Sequence, residues 1–164
     1  MKAIVYTSNT GYTKAYAKLL EKETGLPVYS LEETKNALPK GTEIIYMGWL
    51  MASNIRGYKV AAKRYKVRAV VGVGLCETGC LIEECRKATK IPAEVPFFTV
   101  QGGMDHSKLH GINKFMIDML VKMLDSKKDK GEDDIRMLEL IKKGGDYVSA
   151  DNLAEFLGWY EGEK

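Results

Sequence analysis

The sequence predicts an α/β protein in which five parallel strands form a doubly wound sheet between two layers of helices, a three-layer α/β/α arrangement. Five short apolar runs alternate with segments whose apolar residues recur at helical spacing. These runs are almost uninterrupted, which is typical of strands covered on both faces. The 164 residues suit one domain, and we expect it to span residues 1–164.

The predicted strands and helices follow one another regularly along the chain. The strands lie at residues 3–7, 27–29, 43–47, 68–73 and 96–100. The helical patterns lie at residues 14–24, 54–65, 79–89 and 107–124. Ligands of doubly wound sheets bind at the carboxyl ends of the strands, so the loops after the first, third, fourth and fifth strands are the candidates for function.

The fourth helical pattern carries a wide apolar stripe that we expect to face the core. Its members are Leu109, Ile112, Phe115, Met116, Met119, Leu120 and Met123. Methionine fills irregular gaps in cores, so this is the simplest interpretation, rather than contact with a cofactor.

Residues 125–164 are predicted to be a C-terminal helical extension of the domain. Residues 125–134 form a polar linker, and residues 135–143 have the pattern of a short amphipathic helix. Ser149 is placed to cap a final helix, whose apolar residues are Leu153, Phe156, Leu157 and Trp159. We expect this tail to pack against the periphery of the sheet.

Composition excludes several classes of protein. No apolar run is long enough to span a bilayer, and a strand begins near residue 1, so we expect neither a membrane segment nor a signal peptide. Three cysteines, an odd number, favour a reducing compartment and a cytoplasmic location. The net charge of +3 is too small to indicate nucleic-acid binding. The cluster Lys63, Arg64, Lys66 and Arg68 fits a solvated helix face or a docking surface for an acidic partner.

The strongest functional motif directly follows the first strand and opens the first helix. It consists of Ser8, Asn9, Thr10, Gly11, Tyr12 and Thr13. Backbone N–H groups at a helix N-terminus and the helix dipole together favour an anion, and the hydroxyl groups add donors. The motif therefore predicts a phosphate-binding loop, with an ordinary helix cap as the alternative.

The loop after the third strand carries the large apolar residues Trp49, Leu50 and Met51. Apolar side chains at a ligand-bearing edge suit the flank of a flat ring system. In the alternative interpretation Trp49 folds back onto the core as a lid.

The loop after the fourth strand offers backbone donors and acceptors to the edge of a heterocycle. It runs through Gly74, Leu75, Cys76, Glu77, Thr78 and Gly79. Its glycines do not have the spacing of the dinucleotide fingerprint, and no nucleoside-triphosphate P-loop is present. Cys76 and Cys80 are either ordinary reduced cysteines or a redox pair.

The loop after the fifth strand holds Gly102, Gly103, Asp105, His106 and, four residues on, His110. The two glycines permit close approach of a ligand or of a neighbouring loop. Asp105 and the two histidines lack the further ligand that a metal site needs, and we predict no metal. No nucleophile and base form a recognisable pair, so we also predict no catalytic residue, and redox chemistry would belong to a cofactor.

The motif at residues 8–13 resembles the flavodoxin phosphate loop, T/S-x-T-G-x-T, and the order of strands and helices is similar to that of flavodoxins. Residues 101–109 and 145–159 resemble the flavodoxin-domain branch that includes menaquinone-dependent protoporphyrinogen oxidases. The resemblance implies noncovalently bound FMN and the sheet order 2-1-3-4-5. Flavodoxins are usually acidic and often carry a stacking tyrosine after the fourth strand, and this chain departs from both patterns.

The resemblance also implies roles for individual residues. Ser8 to Thr13 would bind the phosphate, and Gly74 to Gly79 would line the pyrimidine edge of the flavin. Trp49, Leu50, Met51 and Asn54 would flank the isoalloxazine ring or the ribityl chain. The implied function is electron transfer between FMN and a redox partner protein or a small-molecule acceptor. The alternatives are a flavin-dependent oxidoreductase acting on a quinone or porphyrinogen, and a binding module for another anionic ligand.

Overall fold

A computed structural model describes residues 1–163, apart from the side chain of His106. The strands are β1 (Ala3–Thr7), β2 (Val28–Ser30), β3 (Glu43–Met51), β4 (Asn54–Ile55), β5 (Lys66–Gly74), β6 (Phe97–Gln101), β7 (Gly103–Met104) and β8 (Gly145–Asp146). The α-helices are α1 (Tyr12–Thr24), α2 (Thr34–Ala37), α3 (Tyr58–Arg64), α4 (Ile82–Thr89), α5 (Gly111–Ser126), α6 (Glu132–Lys143) and α7 (Ala154–Gly162). Short 3-10 turns lie at His106–Lys108 and Asp151–Leu153.

The central sheet is parallel, with the strand order β2-β1-β3-β5-β6, and β4 pairs with β3 in the antiparallel direction. A separate antiparallel pair joins β7 to β8. The predicted α/β class with a parallel central sheet is confirmed, and the fold is consistent with a flavodoxin-like one. The sequence does not predict β4, β7 or β8, because each has only two residues and no periodicity of its own.

Two apolar cores cover the two faces of the sheet. The α1 face is covered by α1 and α7, whose buried residues meet Ile4, Ile45 and Met47 of the sheet. The α3 face is covered by α3 and α4, which pack on Val5 and Tyr46. Successive strand residues therefore alternate between the two cores, as near-continuous apolar runs require.

The C-terminal helix packs over β6, an edge strand of the sheet, as expected, but it is buried there as part of the core of the α1 face. Phe156 is 1% exposed, and its ring lies 5.4 Å from that of Phe98 in β6. Leu153 and Tyr160 join the same core. The apolar residues of α5 pack elsewhere, so α7 is the helix that covers the apolar residues of β6 on the α1 face.

The apolar stripe on α5 is mostly exposed, which corrects the expectation that it faces the core. Leu109 and Leu120 are buried or half-buried, but the exposed members are Ile112, Phe115, Met116, Met119 and Met123. The helix is apolar on nearly all sides, and a different face, with Ile117, Val121 and Leu124, turns inward. Residues 103–146, from β7 to β8, form a unit that we call the helical arm.

The loop predicted after the third strand is a β-hairpin. β3 continues to Met51, the chain turns at Ala52 and Ser53, and β4 pairs with Leu50 and Met51. Both turn residues have positive φ, 47° and 59°, as a type I′ hairpin turn requires. The predicted helix at 54–65 consequently begins only at Tyr58, after Gly57 with φ 82°.

Other boundaries shift by a few residues. α4 begins at Ile82 rather than at residue 79, and α6 begins at Glu132, which shortens the predicted linker to residues 127–131. No helix within residues 1–163 combines the length and apolar composition needed to cross a bilayer.

Candidate functional site

The predicted functional loops leave the sheet at the same edge. Thr7 pairs with Gly48, Gly48 with Gly72, and Gly72 with Thr99. This row crosses β1, β3, β5 and β6, so the chain emerges at the same edge beyond each of them. Neighbouring strands are about 4.8 Å apart, so the loop after β1 and the hairpin after β3 are close neighbours.

The motif at residues 8–13 forms the turn into α1, as predicted. Ser8 Oγ accepts hydrogen bonds from the N–H groups of Gly11 and Lys14, at 3.2 and 3.4 Å. Gly11 has φ 100°, which favours glycine at this position. Thr13 is buried and Thr10 is half-buried. Ser8 therefore caps the start of α1. The structure of the turn fits both a phosphate-binding loop and an ordinary helix cap.

Two members of the motif contact the helical arm. Asn9 Oδ1 accepts a hydrogen bond from Asn113 Nδ2 in α5, at 3.2 Å. The Tyr12 ring lies 5.8 Å from Lys108 Nζ, and its hydroxyl donates to the Gly145 carbonyl at 3.4 Å. A Cβ at Gly103 would collide with the Tyr12 ring and the Gly145 backbone. The close approach expected of Gly102 and Gly103 is thus made to neighbouring protein segments.

A cavity of about 320 Å³ adjoins the motif on the side of β2. Ser8, Asn9 and Gly11 line it, together with the cation Lys14 and the carboxylate Glu32. Lys14 was not among the predicted site residues, although it directly follows the motif and a lysine there can form a charge-assisted hydrogen bond with an anion at the helix start.

The hairpin after β3 divides its apolar residues between the two faces. Strand alternation from Ile45 and Met47 places Trp49 and Met51 on the α1 face, the face on which the motif at residues 8–13 lies. Leu50 instead packs with the core of the α3 face, beside Gly72 and Gly74. The structure therefore places two of the three predicted ring-binding residues on the motif's side of the sheet.

Trp49 and Asn54 have local partners in the hairpin. The Arg56 guanidinium lies 5.9 Å from the centre of the Trp49 ring, and Trp49 is half-buried. Asn54 Nδ2 donates to the Ala52 carbonyl at 3.0 Å and stabilises the turn. Arg56 was not among the predicted site residues.

The loop after β5 is folded against β6. The Gly79 N–H donates to the Thr99 carbonyl at 3.0 Å, and Thr78 Oγ1 accepts from the Gln101 N–H at 3.1 Å. Gln101 Nε2 donates to the Leu75 carbonyl, and the Gly74 carbonyl accepts from Gly102. Several donors and acceptors expected to serve a ligand are therefore used within the protein.

The same loop also forms one wall of a cleft of about 790 Å³ against α6. Leu75, Cys76 and Glu77 line the cleft, and Glu77 pairs with Arg136 of α6 at 2.9 Å. The cleft does not include the motif at residues 8–13 or the hairpin. The predicted site residues thus fall into two groups, one at α1 and the hairpin and one at the helical arm.

Burial disfavours the thiolate forms of two of the three free cysteines. It raises the pKa of Cys80 to about 12, with the neighbouring Cys76 adding to the effect. Burial raises the pKa of Cys85 to about 11. Since the thiolate is the reactive form, these environments favour ordinary reduced cysteines over a reactive pair.

We expect iodoacetamide at pH 8 to modify Cys80 and Cys85 at least about 100-fold more slowly in the native protein than in urea. Peptide mapping by mass spectrometry measures both rates, and equal rates would contradict the assignment.

Unfolded thiols ionise near pH 9 and folded ones only near 11 to 12, so these groups should also lower stability as the pH rises from about 9 towards 12.

The described side chains of the loop after β6 engage one another rather than forming a metal site. Asp105 accepts hydrogen bonds from Ser107 and pairs with Lys108 at 3.2 Å, and these interactions hold its pKa below the ordinary value. The side chain of His106 lies outside the described residues. Among the side chains that are described, no group of three or more potential ligands has the arrangement to hold a metal ion.

Comparison of the chain with protein-family models, with curated proteins and with solved structures gives no match. What supports a function is therefore the motif, the geometry of the sheet edge and the resemblance carried by residues 8–13.

Proposed function

We propose that this protein binds FMN at the carboxyl edge of the sheet and mediates electron transfer. The observation that supports the proposal most directly is the position of the motif at residues 8–13. It opens α1 on the same face of the sheet as Trp49 and Met51, one strand away.

The phosphate of FMN would bind at the start of α1. Backbone N–H groups of the first helical turn have no partner within the helix, and the helix dipole attracts an anion there. The N–H groups of Gly11 and Lys14 donate to Ser8 Oγ, so a phosphate that uses these two donors would replace the Ser8 hydroxyl as their acceptor. Thr10 and Thr13 supply hydroxyl groups, and Lys14 supplies a positive charge.

The flavin ring would lie against Trp49 and Met51. Both side chains are half-buried, so each leaves apolar surface for a flat ring to cover. The Arg56 guanidinium beside Trp49 supplies a cation close to that position. When bound, FMN would supply the redox chemistry, and the protein would hold the ring and limit the access of water to it.

The cleft against α6 favours a second candidate function, a flavin-dependent oxidoreductase with a small apolar substrate. Its volume of about 790 Å³ lies in the range of small-molecule sites. Leu75, Leu120 and Leu140 line its interior, and Arg136 and Lys143 lie at the same cleft. A quinone or a porphyrinogen, the substrates of the branch that residues 101–109 resemble, has this combination of apolar body and polar groups.

Titration calorimetry with FMN, riboflavin and inorganic phosphate tests the proposal. We expect FMN to bind, riboflavin to bind at least about 100-fold more weakly because it lacks the phosphate, and phosphate alone to compete weakly with FMN. Equal affinities for FMN and riboflavin would contradict the phosphate assignment. Failure to bind either flavin would reject both flavin functions and favour a module for another anion.

Kinetics then separate the two flavin functions. A carrier should take up electrons one at a time during photoreduction and should not turn over menaquinone analogues. An oxidoreductase should turn over a menaquinone analogue or a porphyrinogen in the steady state, and Leu120→Lys in the cleft should abolish that turnover while FMN affinity is unchanged.

A further inference from the structure

The exposed face of α5 carries a row of large apolar residues. Its apolar residues recur at helical spacing and are 73% exposed at Ile112, 62% at Phe115, 38% at Met116, and 55% at both Met119 and Met123. We call these five residues the α5 stripe. They lie on one side of one helix, so the exposed apolar surface is continuous rather than scattered.

The α5 stripe is large for a surface that faces only water. With about 200 Å² for each fully exposed side chain, it offers on the order of 550 Å², near the upper limit for the largest apolar patch of a typical monomer. A specific interface buries about 800 Å² on each partner. The stripe with its charged flank is therefore about the size of one side of such an interface.

The charged residues of α5 alternate in sign along one flank of the stripe. They are Lys114, Asp118, Lys122 and Asp125, a plus-minus-plus-minus series. When two such helices pack antiparallel about a two-fold axis, the same flank of each helix meets, and the series runs in opposite directions. Asp118 and Lys122, the two charged residues nearest the stripe, then lie opposite each other at both symmetric positions, whereas Lys114 and Asp125 lie further round the helix.

We propose that the α5 stripe is covered by a second copy of this chain, with the two α5 helices antiparallel about a two-fold axis. In this register Met116 lies opposite Met123, and Met119 lies near the axis beside its own copy. The three methionines of the stripe then meet methionines of the second helix, and Asp118 pairs with Lys122.

The charge balance of α5 argues against a membrane surface as the occupant. The helix carries two lysines and two aspartates, so it offers an anionic bilayer no net attraction. Asp118 also pairs with Lys114 within the helix at 3.4 Å, and Asp125 pairs with Lys142 at 2.9 Å. Lys122 has no ion-pair partner within residues 1–163, and the second copy would provide one.

The proposed interface adjoins the motif at residues 8–13. Asn113 of α5 donates to Asn9 of that motif, one residue from Ile112 of the stripe. Dimerisation would therefore fix the helix that contacts this loop. The proposal does not depend on FMN binding, since it rests only on the surface of α5.

Sedimentation velocity of the full chain over a range of concentrations tests the proposal. We expect a species of twice the 18.4 kDa chain mass, and we expect Met119→Lys to raise the dimer dissociation constant at least about 100-fold. The control is Val60→Lys, which changes a residue 60% exposed on α3 and should leave the dimer intact. Circular dichroism verifies that both variants fold.

A charge exchange tests the antiparallel register. Asp118→Lys or Lys122→Asp alone places like charges opposite each other at two positions and should weaken the dimer about tenfold. The double variant Asp118→Lys/Lys122→Asp restores opposite charges and should recover the dimer. A wild-type monomer at all concentrations, a dimer insensitive to Met119→Lys, or failure of the double variant to recover would overturn the proposal. So would flotation of the monomer with anionic phosphatidylserine vesicles through the α5 stripe.

Discussion

Replacing Thr10 and Thr13 together by valine is expected to lower the affinity for FMN by about 30-fold to 20,000-fold, because each of the two lost buried hydrogen bonds costs about 1–3 kcal/mol. Valine has nearly the shape of threonine, and Thr13 is 1% exposed, so the turn into α1 should keep its geometry. Titration calorimetry of the folded variant gives the affinity directly.

The matched control for this pair is Thr42→Val. Thr42 lies just before β3, at the opposite edge of the sheet, and its hydroxyl donates only to the Pro39 carbonyl at 2.7 Å. The control should bind FMN as the wild-type protein does. An unchanged affinity in the double variant would refute the assignment of residues 8–13 to the phosphate, even if FMN binds elsewhere.

The long elements of the fold could be predicted because their patterns are local. Uninterrupted apolar runs give β1, β3, β5 and β6, and the start of α1 is marked by a cluster of capping residues before Tyr12. The hairpin at β4 could not be predicted in this way. Its turn residues, Ala52 and Ser53, adopt positive φ without glycine or asparagine, so the residue types that usually signal such a turn are missing.

The orientation of α5 could not be predicted because periodicity identifies a helix and an apolar face but not what covers that face. α5 is apolar around most of its circumference, and only the charged flank from Lys114 to Asp125 is distinct. Contact with α6 through Leu140 and Ile141 decides which apolar face turns inward. That contact joins segments separated in sequence and leaves no local signal.

In the candidate site, too, the features set by neighbouring residues could be predicted, and the contacts between segments distant in sequence could not. Ser8 to Thr13 could be located from the sequence because a strand, a turn and a helix start follow one another directly. The Glu77–Arg136 pair and the Asn9–Asn113 bond could not, because each joins a predicted loop to the helical arm. The arm therefore determines which of the predicted loops remain open to a ligand.

Phe156→Ala is expected to lower the free energy of unfolding by about 3–5 kcal/mol, the usual cost of removing a buried phenylalanine ring. Phe156 is 1% exposed and packs against Phe98, Trp159 and Tyr160 at ring distances of 5.4 to 6.2 Å. Urea unfolding followed by circular dichroism measures the change. A loss of this size would show that α7 belongs to the core of the α1 face, since a helix attached only to the surface would tolerate the substitution.

Phe115→Ala provides the comparison, because it removes the same side chain from a position that is 62% exposed. In the Met119→Lys background, which we expect to be monomeric, it should change stability by no more than about 0.5 kcal/mol. The two phenylalanines belong to similar apolar helical patterns in the sequence, and the structure assigns one to the core and the other to the surface. Comparable losses at both positions would mean that α5 is buried against the domain, and a small loss at Phe156 would mean that α7 is not.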